Sequence, residues 1–216
     1  PMNFLIDWNI KREPVFRLLD NILWLNNFFE NGELMISCFK NFKKYPDEMQ
    51  GDKHEGEILI CGQNQNNKTH NLLLCDSGIN AYIMSTTNSL TDQVKKDFRA
   101  ECAIKINHPT MFAMEIAKKL PFVFSGLEGN CDYTSSRIHD VESELTKFNE
   151  MEYSNNPNTL NILNEILIGK ELFLKLNIHR HQQEYRFVWF SNNDNVDSSI
   201  VIKCPEAVQF CEKIHF

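Results

Sequence analysis

HQQEYRFVWF, residues 181 to 190, is the stretch that decides how this chain folds. From Tyr185 onward its apolar side chains fall too densely for a strand with one solvent face, so the pattern predicts a buried core strand. Period two then puts Tyr185, Phe187 and Trp189 on one face and Gln182, Glu184 and Arg186 on the other. An amide, a carboxylate and a guanidinium at the mouth of such a strand admit two readings. One is an exposed edge with a local Glu184 to Arg186 interaction, worth well under ~1 kcal/mol when solvated. The other is a set of side chains held toward a cleft.

Working outward from that strand, PVFRLL (Pro14 to Leu19) reads as a short strand and Asp20 as the cap of a helix from Asn21 to about Glu30, stopped by Gly32. ELMISCF (Glu33 to Phe39) reads as a strand followed by a polar, acidic loop from Phe42 to Glu57. EILICGQ, NLLLC and NAYIMS, separated by turn-forming QNNK and DSGI, predict a three-stranded meander. Thr91 caps DQVKKDF as a short helix, AIKI (Ala103 to Ile106) is a strand, and HPTMFAMEIAKKL carries the start signals of a helix ending near Leu120. Beyond Phe122 the pattern weakens, with SSRIHDV as one further strand and SNNPN as a loop. TLNILNEILIGKELFLKLN suggests a helix broken near Gly169. SSIVIK (Ser198 to Lys203) would pair with the HQQEYRFVWF strand across SNNDNVD, and the tail after Pro205 would be a short helix. Pro1 ahead of Met2 reads as a tag remnant, and residues 2 to 216 as a single domain.

With 42% hydrophobic and 24% charged residues, the 216-residue chain can bury a substantial core, and sixteen Phe promise an aromatic one. The net charge of −7 works against sequence-independent adhesion to nucleic acid or anionic membrane. No stretch approaches the roughly 18 to 20 apolar residues of a membrane span, and no secretory leader is evident, so the expectation is a soluble cytoplasmic protein without a membrane partner. The seven cysteines form no CxxC or knuckle spacing and read as small buried hydrophobes in a reducing compartment.

The common nucleotide and hydrolase motifs GxGxxG, GxxxxGK[ST] and GxSxG are absent. SCFK (Ser37 to Lys40) matches SxxK, without the other boxes that motif needs. The loop DEMQGDKHEGE holds Asp47, Glu48, Asp52, His54, Glu55 and Glu57, donors enough for a divalent metal, but at neither EF-hand nor HExxH spacing. HRH (His179 to His181) would place two imidazoles on one strand face, with no third zinc ligand indicated. No metal site is assigned from these patterns.

Taken in order, VFRLL, ENGELMISCF, GDKHEG, AYIMSTTNSLTD, AIKINHPTMF and HQQEYRFVWF resemble a broad bacterial and phage domain family of unknown function, from about Pro14 to Lys203. The same layout is similar to the ADP-ribosyltransferase fold. That fold has an early strand bearing Arg or His, a middle strand bearing Ser-Thr-Ser or Tyr, and a late strand bearing a catalytic Glu preceded two residues earlier by Glu or Gln. Arg17 matches the first position, Ser85-Thr86-Thr87 matches the middle motif with Thr in place of the last Ser, and Gln182-Gln183-Glu184 matches the Gln-x-Glu form. Ser37 is a rival for the serine role. The resemblance implies an α+β fold with a split, curved mixed or antiparallel sheet and flanking helices.

It also implies roles. Glu184 and Gln182 would be catalytic, the carboxylate stabilising positive charge that develops on ribose as the nicotinamide bond of NAD breaks, the amide orienting an acceptor. Arg17, Ser85, Thr86 and Ser37 would bind NAD, with the arginine fork suited to phosphate or ribose. The function implied is an NAD-dependent ADP-ribosyltransferase, a toxin or phage-defence effector acting on protein or RNA, with an antitoxin or regulatory protein as a further partner. Two other readings stay open: a non-catalytic ligand-sensing or protein-interaction domain on the same fold, and a metal-dependent nuclease built on the acidic loop.

Overall fold

The structure is a computed structural model that describes residues 13–45, 51–64, 69–140, 167 and 169–216. Its axis is β11 (Glu184–Ser191), which lies between β5 (Ala81–Thr87) and β7 (Val123–Asn130) and runs antiparallel to both. With a strand on each edge and packing on each face, β11 buries every residue but the partly exposed Phe190, which explains its apolar density. The reading of Glu184 and Arg186 as an exposed edge is therefore corrected: they are 4% and 1% exposed.

The sheet forks at β5. Its edge away from β11 is taken at one end by β2 (Glu33–Cys38), through Cys38 opposite Tyr82 and Ser37 opposite Ile83. At the other end it is taken by β1 (Val15–Leu19), through Phe16 opposite Thr87. Among the described residues no strand pairs with Met84, Ser85 or Thr86 on that edge. Outside β2 lies β12 (Ile200–Lys203), and outside β1 lie β6 (Cys102–Ile106) and then β13 (Cys211–His215). Every pairing in this eight-stranded sheet is antiparallel. The chain is a mixed α+β fold with a mostly antiparallel sheet and few helices.

One face of the fork carries the main core. Tyr185, Phe187 and Trp189 line up along β11, with Phe187 stacked on Trp189 at 5.9 Å between centroids. They are covered by Leu25 and Phe28 of α1 (Ile22–Asn31) and by Phe112 and Ile116 of α4 (Pro109–Ala117), and the Trp189 indole N–H donates to the Ala113 carbonyl at 3.0 Å. The cap of α1 is Asn21, whose side chain accepts from the Leu23 N–H, rather than Asp20. Thr91 caps α3 (Asp92–Asp97) as expected.

Several connections differ from the sequence expectation. The meander is a hairpin only: β3 (Glu57–Asn64) pairs β4 (Thr69–Asp76) in a separate sheet, while β5 leaves through Gly78 at φ 85° to become the central strand. A Cβ at Gly78 would lie 2.5 Å from the Phe39 ring. SSRIHDV contributes β9 (Ile138–Asp140), parallel to β3. β12 pairs with β2 instead of β11, because both edges of β11 are already taken. Phe39 opens α2 (Phe39–Lys44) where strand end and loop were expected, and the tail adds β13 after the expected short helix α5 (Pro205–Val208). After Gly169 the chain makes a 3₁₀ turn (Lys170–Phe173) and then β10 (Leu174–Leu176), parallel to β8 (Asp132–Thr134), where a continued helix was expected. The expected loop SNNPN and residues 159–166 and 168 of the expected helix lie outside the described residues. No helix among the described residues is long and apolar enough to cross a membrane.

Candidate active site

The fork leaves the middle of β5 with backbone groups that no ladder satisfies, and a buried carbonyl without a donor is costly. Arg17 of β1 answers this by donating Nη1–H to the Ser85 carbonyl at 2.9 Å. The Ser85 side chain faces Arg186 and Glu184 across the β5–β11 pair, and its hydroxyl donates to Glu184 Oε1 at 2.6 Å. Arg17, Ser85, Thr86, Gln182 and Glu184 all line one small cleft, with Phe16 and Phe98 as apolar walls. The Arg17 Nε–H finds no acceptor among the described residues. Burial pulls the Arg17 pKa below its ordinary value, although the charge of Glu184 opposes that fall.

Gln182 reaches the cleft by a route the strand pattern does not contain. It ends a 3₁₀ turn (Asn177–Gln182), and Gln183 takes a left-handed φ of 42° before β11 begins. The Thr87 hydroxyl donates to the Gln182 carbonyl at 2.7 Å, and the Asn88 N–H donates to the Gln183 carbonyl at 2.9 Å. Thr86 spends its hydroxyl on the Tyr185 carbonyl at 2.7 Å. HRH lies in this turn and not on a strand: His179 is buried, and His181 Nε2 lies 2.6 Å from Asp97 Oδ2. Ser37, the alternative serine, stands opposite Ile83 on the β2–β5 pair and does not line the cleft.

Glu184 is the hub. Oε1 accepts from Ser85 Oγ and from Arg186 Nε, each at 2.6 Å, and Oε2 accepts from Lys175 Nζ at 2.5 Å. The same ammonium donates to Gln182 Oε1 at 3.0 Å. The Glu184 N–H donates to the Tyr133 hydroxyl oxygen at 2.8 Å, which fixes the strand at the carboxylate's root. Burial alone would push the Glu184 carboxyl up, but the charges of Arg186 and Lys175 and their hydrogen bonds outweigh it and hold it well below the usual carboxylate range. Arg186 continues the chain of charge to Glu55 Oε1 and to the Leu172 carbonyl, both at 2.6 Å. Burial opposes the Arg186 charge too, and the carboxylates of Glu184 and Glu55 more than compensate.

Asp47 and Glu48 of the acidic loop lie outside the described residues, and its described carboxylates are tied to basic partners. Asp52 pairs with Arg137, Glu57 with Lys43 and His54, and Glu55 with Arg186. Among the described residues no three His, Cys, Asp or Glu side chains converge as a metal site. Two site residues were not legible as such. Lys175, 8% exposed at its side chain, sits between Leu174 and Leu176, and a lone lysine in an apolar run was the available signal. Tyr133 carries no such signal. Comparison of the chain with protein-family models, curated proteins and solved structures found no match.

Proposed function

We propose that the chain is an NAD-dependent ADP-ribosyltransferase built on an ADP-ribosyltransferase-like forked sheet. The observation that carries the reading is the convergence of Arg17, Ser85, Gln182 and Glu184, separated widely in sequence, on one cleft at the fork. Their chemistry fits the nicotinamide-ribose end of the dinucleotide. Arg17 has an unused N–H for a phosphate or ribose oxygen. A carboxylate offers about four lone-pair sites. Ser85, Arg186 and Lys175 occupy three, which leaves Glu184 Oε2 able to accept from a ribose hydroxyl.

Breaking the bond between nicotinamide and ribose places positive charge on the sugar, and the residues here meet that charge with one already in place. Glu184 stays ionised throughout the neutral range because Arg186 and Lys175 favour its anion. Ser85 and Arg186 fix its direction, so no reorganisation is needed as the bond opens. Gln182 stands beside the carboxylate where an acceptor on protein or RNA would approach. A toxin or defence role, with a regulatory partner protein in the cytoplasm, is part of this proposal. The contact between Lys175 and Glu184 favours one rival, a non-catalytic ligand-sensing domain, since it compensates the anion a transferase would use.

Incubation with NAD and whole-cell extract separates the two. The transferase reading expects nicotinamide release and label transfer from NAD to protein or RNA. Glu184→Gln should keep NAD binding and abolish transfer; equal transfer by wild type and variant would refute the proposal, and NAD binding without any nicotinamide release would favour the sensor.

A further inference from the structure

Lys175 reaches the site from β10, a three-residue strand whose parallel partner is β8, with Lys175 opposite Tyr133. These two neighbours grip the start of β11 from outside the main sheet. Tyr133 takes the Glu184 N–H, and Lys175 takes both the Glu184 carboxylate and the Gln182 amide oxygen. Strand geometry does not align the Gln182 and Glu184 side chains, because Gln182 belongs to the turn and Gln183 breaks the strand geometry between them.

We infer that Lys175 is a positioning residue that locks the Gln182 amide to the Glu184 carboxylate and leaves Oε2 as the ligand-facing oxygen. Oε1 is saturated by Ser85 and Arg186, so a substrate hydroxyl has nowhere to donate there. Among the described residues Oε2 carries a single hydrogen bond, from an ammonium that also donates to the Gln182 amide oxygen. One cation therefore ties the carboxylate, whose direction Ser85 and Arg186 set, to the amide two residues away and orients that amide. This inference rests on the transferase reading for its kinetic consequence but not for its geometry.

The charged or titratable groups around Glu184 are Arg186 on its own strand, Lys175 from β10, Arg17 from β1, Tyr133 from β8, and Cys131 and His179 from flanking segments. Glu55 faces Arg186 from the loop before β3. Within that set Lys175 is the cation on Oε2, so its removal should move the titration of Glu184 specifically.

The test titrates the ¹³C-labelled Glu184 carboxyl by NMR in wild type, Lys175→Met and Lys175→Arg, and measures nicotinamide release by the same proteins. The expected result is a higher midpoint in Lys175→Met, a low one in Lys175→Arg, and kcat down about a hundredfold in Lys175→Met, the scale of a small misplacement of a reacting group. KM for NAD should stay within about threefold, since uniform binding is untouched. An unchanged midpoint in Lys175→Met, or a raised KM at unchanged kcat, would overturn the inference. If Lys175→Met does not fold, the wild-type ammonium decides: a ¹⁵Nζ signal protected from exchange and shifted by Glu184→Gln supports the inference, and a fast-exchanging signal insensitive to that change overturns it. Absence of nicotinamide release from wild type would refute the transferase reading instead, and the midpoint would still decide the role of Lys175.

Discussion

Ser85 engages two partners with two different atoms. Its carbonyl takes Arg17 from across the fork and its hydroxyl gives to Glu184 along the sheet, so one residue joins the two arms of the site. The pairing around Glu184 has a consequence for acid stability. In the unfolded chain its carboxyl titrates at the ordinary value of about 4.3; in the folded chain it titrates lower. Between those values the unfolded chain binds the proton and the folded chain does not, so stability falls as pH drops through that window and is fully present above it. Asp52, held low by the His54 backbone N–H and by Arg137 against the opposing effect of burial, acts in the same direction. Urea unfolding at pH 7 and pH 3.5 should reveal a total loss of about 1 kcal/mol for each such carboxylate, because the slope nears its limit of about 1.4 kcal/mol per pH unit only below the unfolded pKa. Glu184→Gln should lose less on acidification than wild type, and an acid slope equal to wild type would contradict the assignment. Much of this site was readable one residue at a time, because Arg17, Ser85 and Glu184 sit in strands whose apolar neighbours fix which way they face. Lys175 was not readable, since the run around it was assigned to a helix and its partners come from turns.

At the scale of elements, local signals were reliable where they depend on the backbone of a few residues. Gly32 was read as the stop of α1, and it adopts φ 71° with its N–H returning to the Phe28 carbonyl at 2.8 Å. A Cβ there would meet the Pro205 nitrogen at 2.2 Å and the Cys204 carbonyl carbon at 2.4 Å, backbone atoms that cannot rotate away. Gly32→Ala should therefore destabilise the protein by at least about 2 kcal/mol, combining left-handed strain with the clash. A urea midpoint within error of wild type would show that α1 and α5 can separate at this junction without cost. Partners of strands were not legible in the same way. β12 has the pattern of a strand, but nothing in SSIVIK says that β2 and not β11 will receive it; that follows only once β5 and β7 occupy both edges of β11. β7 escaped because Gly126 and Gly129 interrupt its alternation and most of its residues are only partly buried.

Across the whole molecule, a line of four buried charges ties separate pieces of chain to the central strand. Glu55 comes from the loop before β3, Arg186 and Glu184 from β11, and Lys175 from β10, in the order acid, base, acid, base. Arg186 also takes the Leu172 carbonyl, so the turn before β10 is held by the same guanidinium. Such a line balances only as a set, because removing one member leaves another charge without water or partner. Arg186→Met should cost about 3 to 5 kcal/mol, with the stranded Glu55, 1% exposed, as the main source. Adding Glu55→Leu removes that stranded carboxylate and leaves Glu184 and Lys175 as a neutral pair, so the double variant should regain at least half of the loss. The measurement is urea unfolding of both variants at pH 7. A double variant no more stable than Arg186→Met would mean that the guanidinium acts mainly through the Leu172 carbonyl and through filling its site, and that Glu55 finds water once its partner is gone.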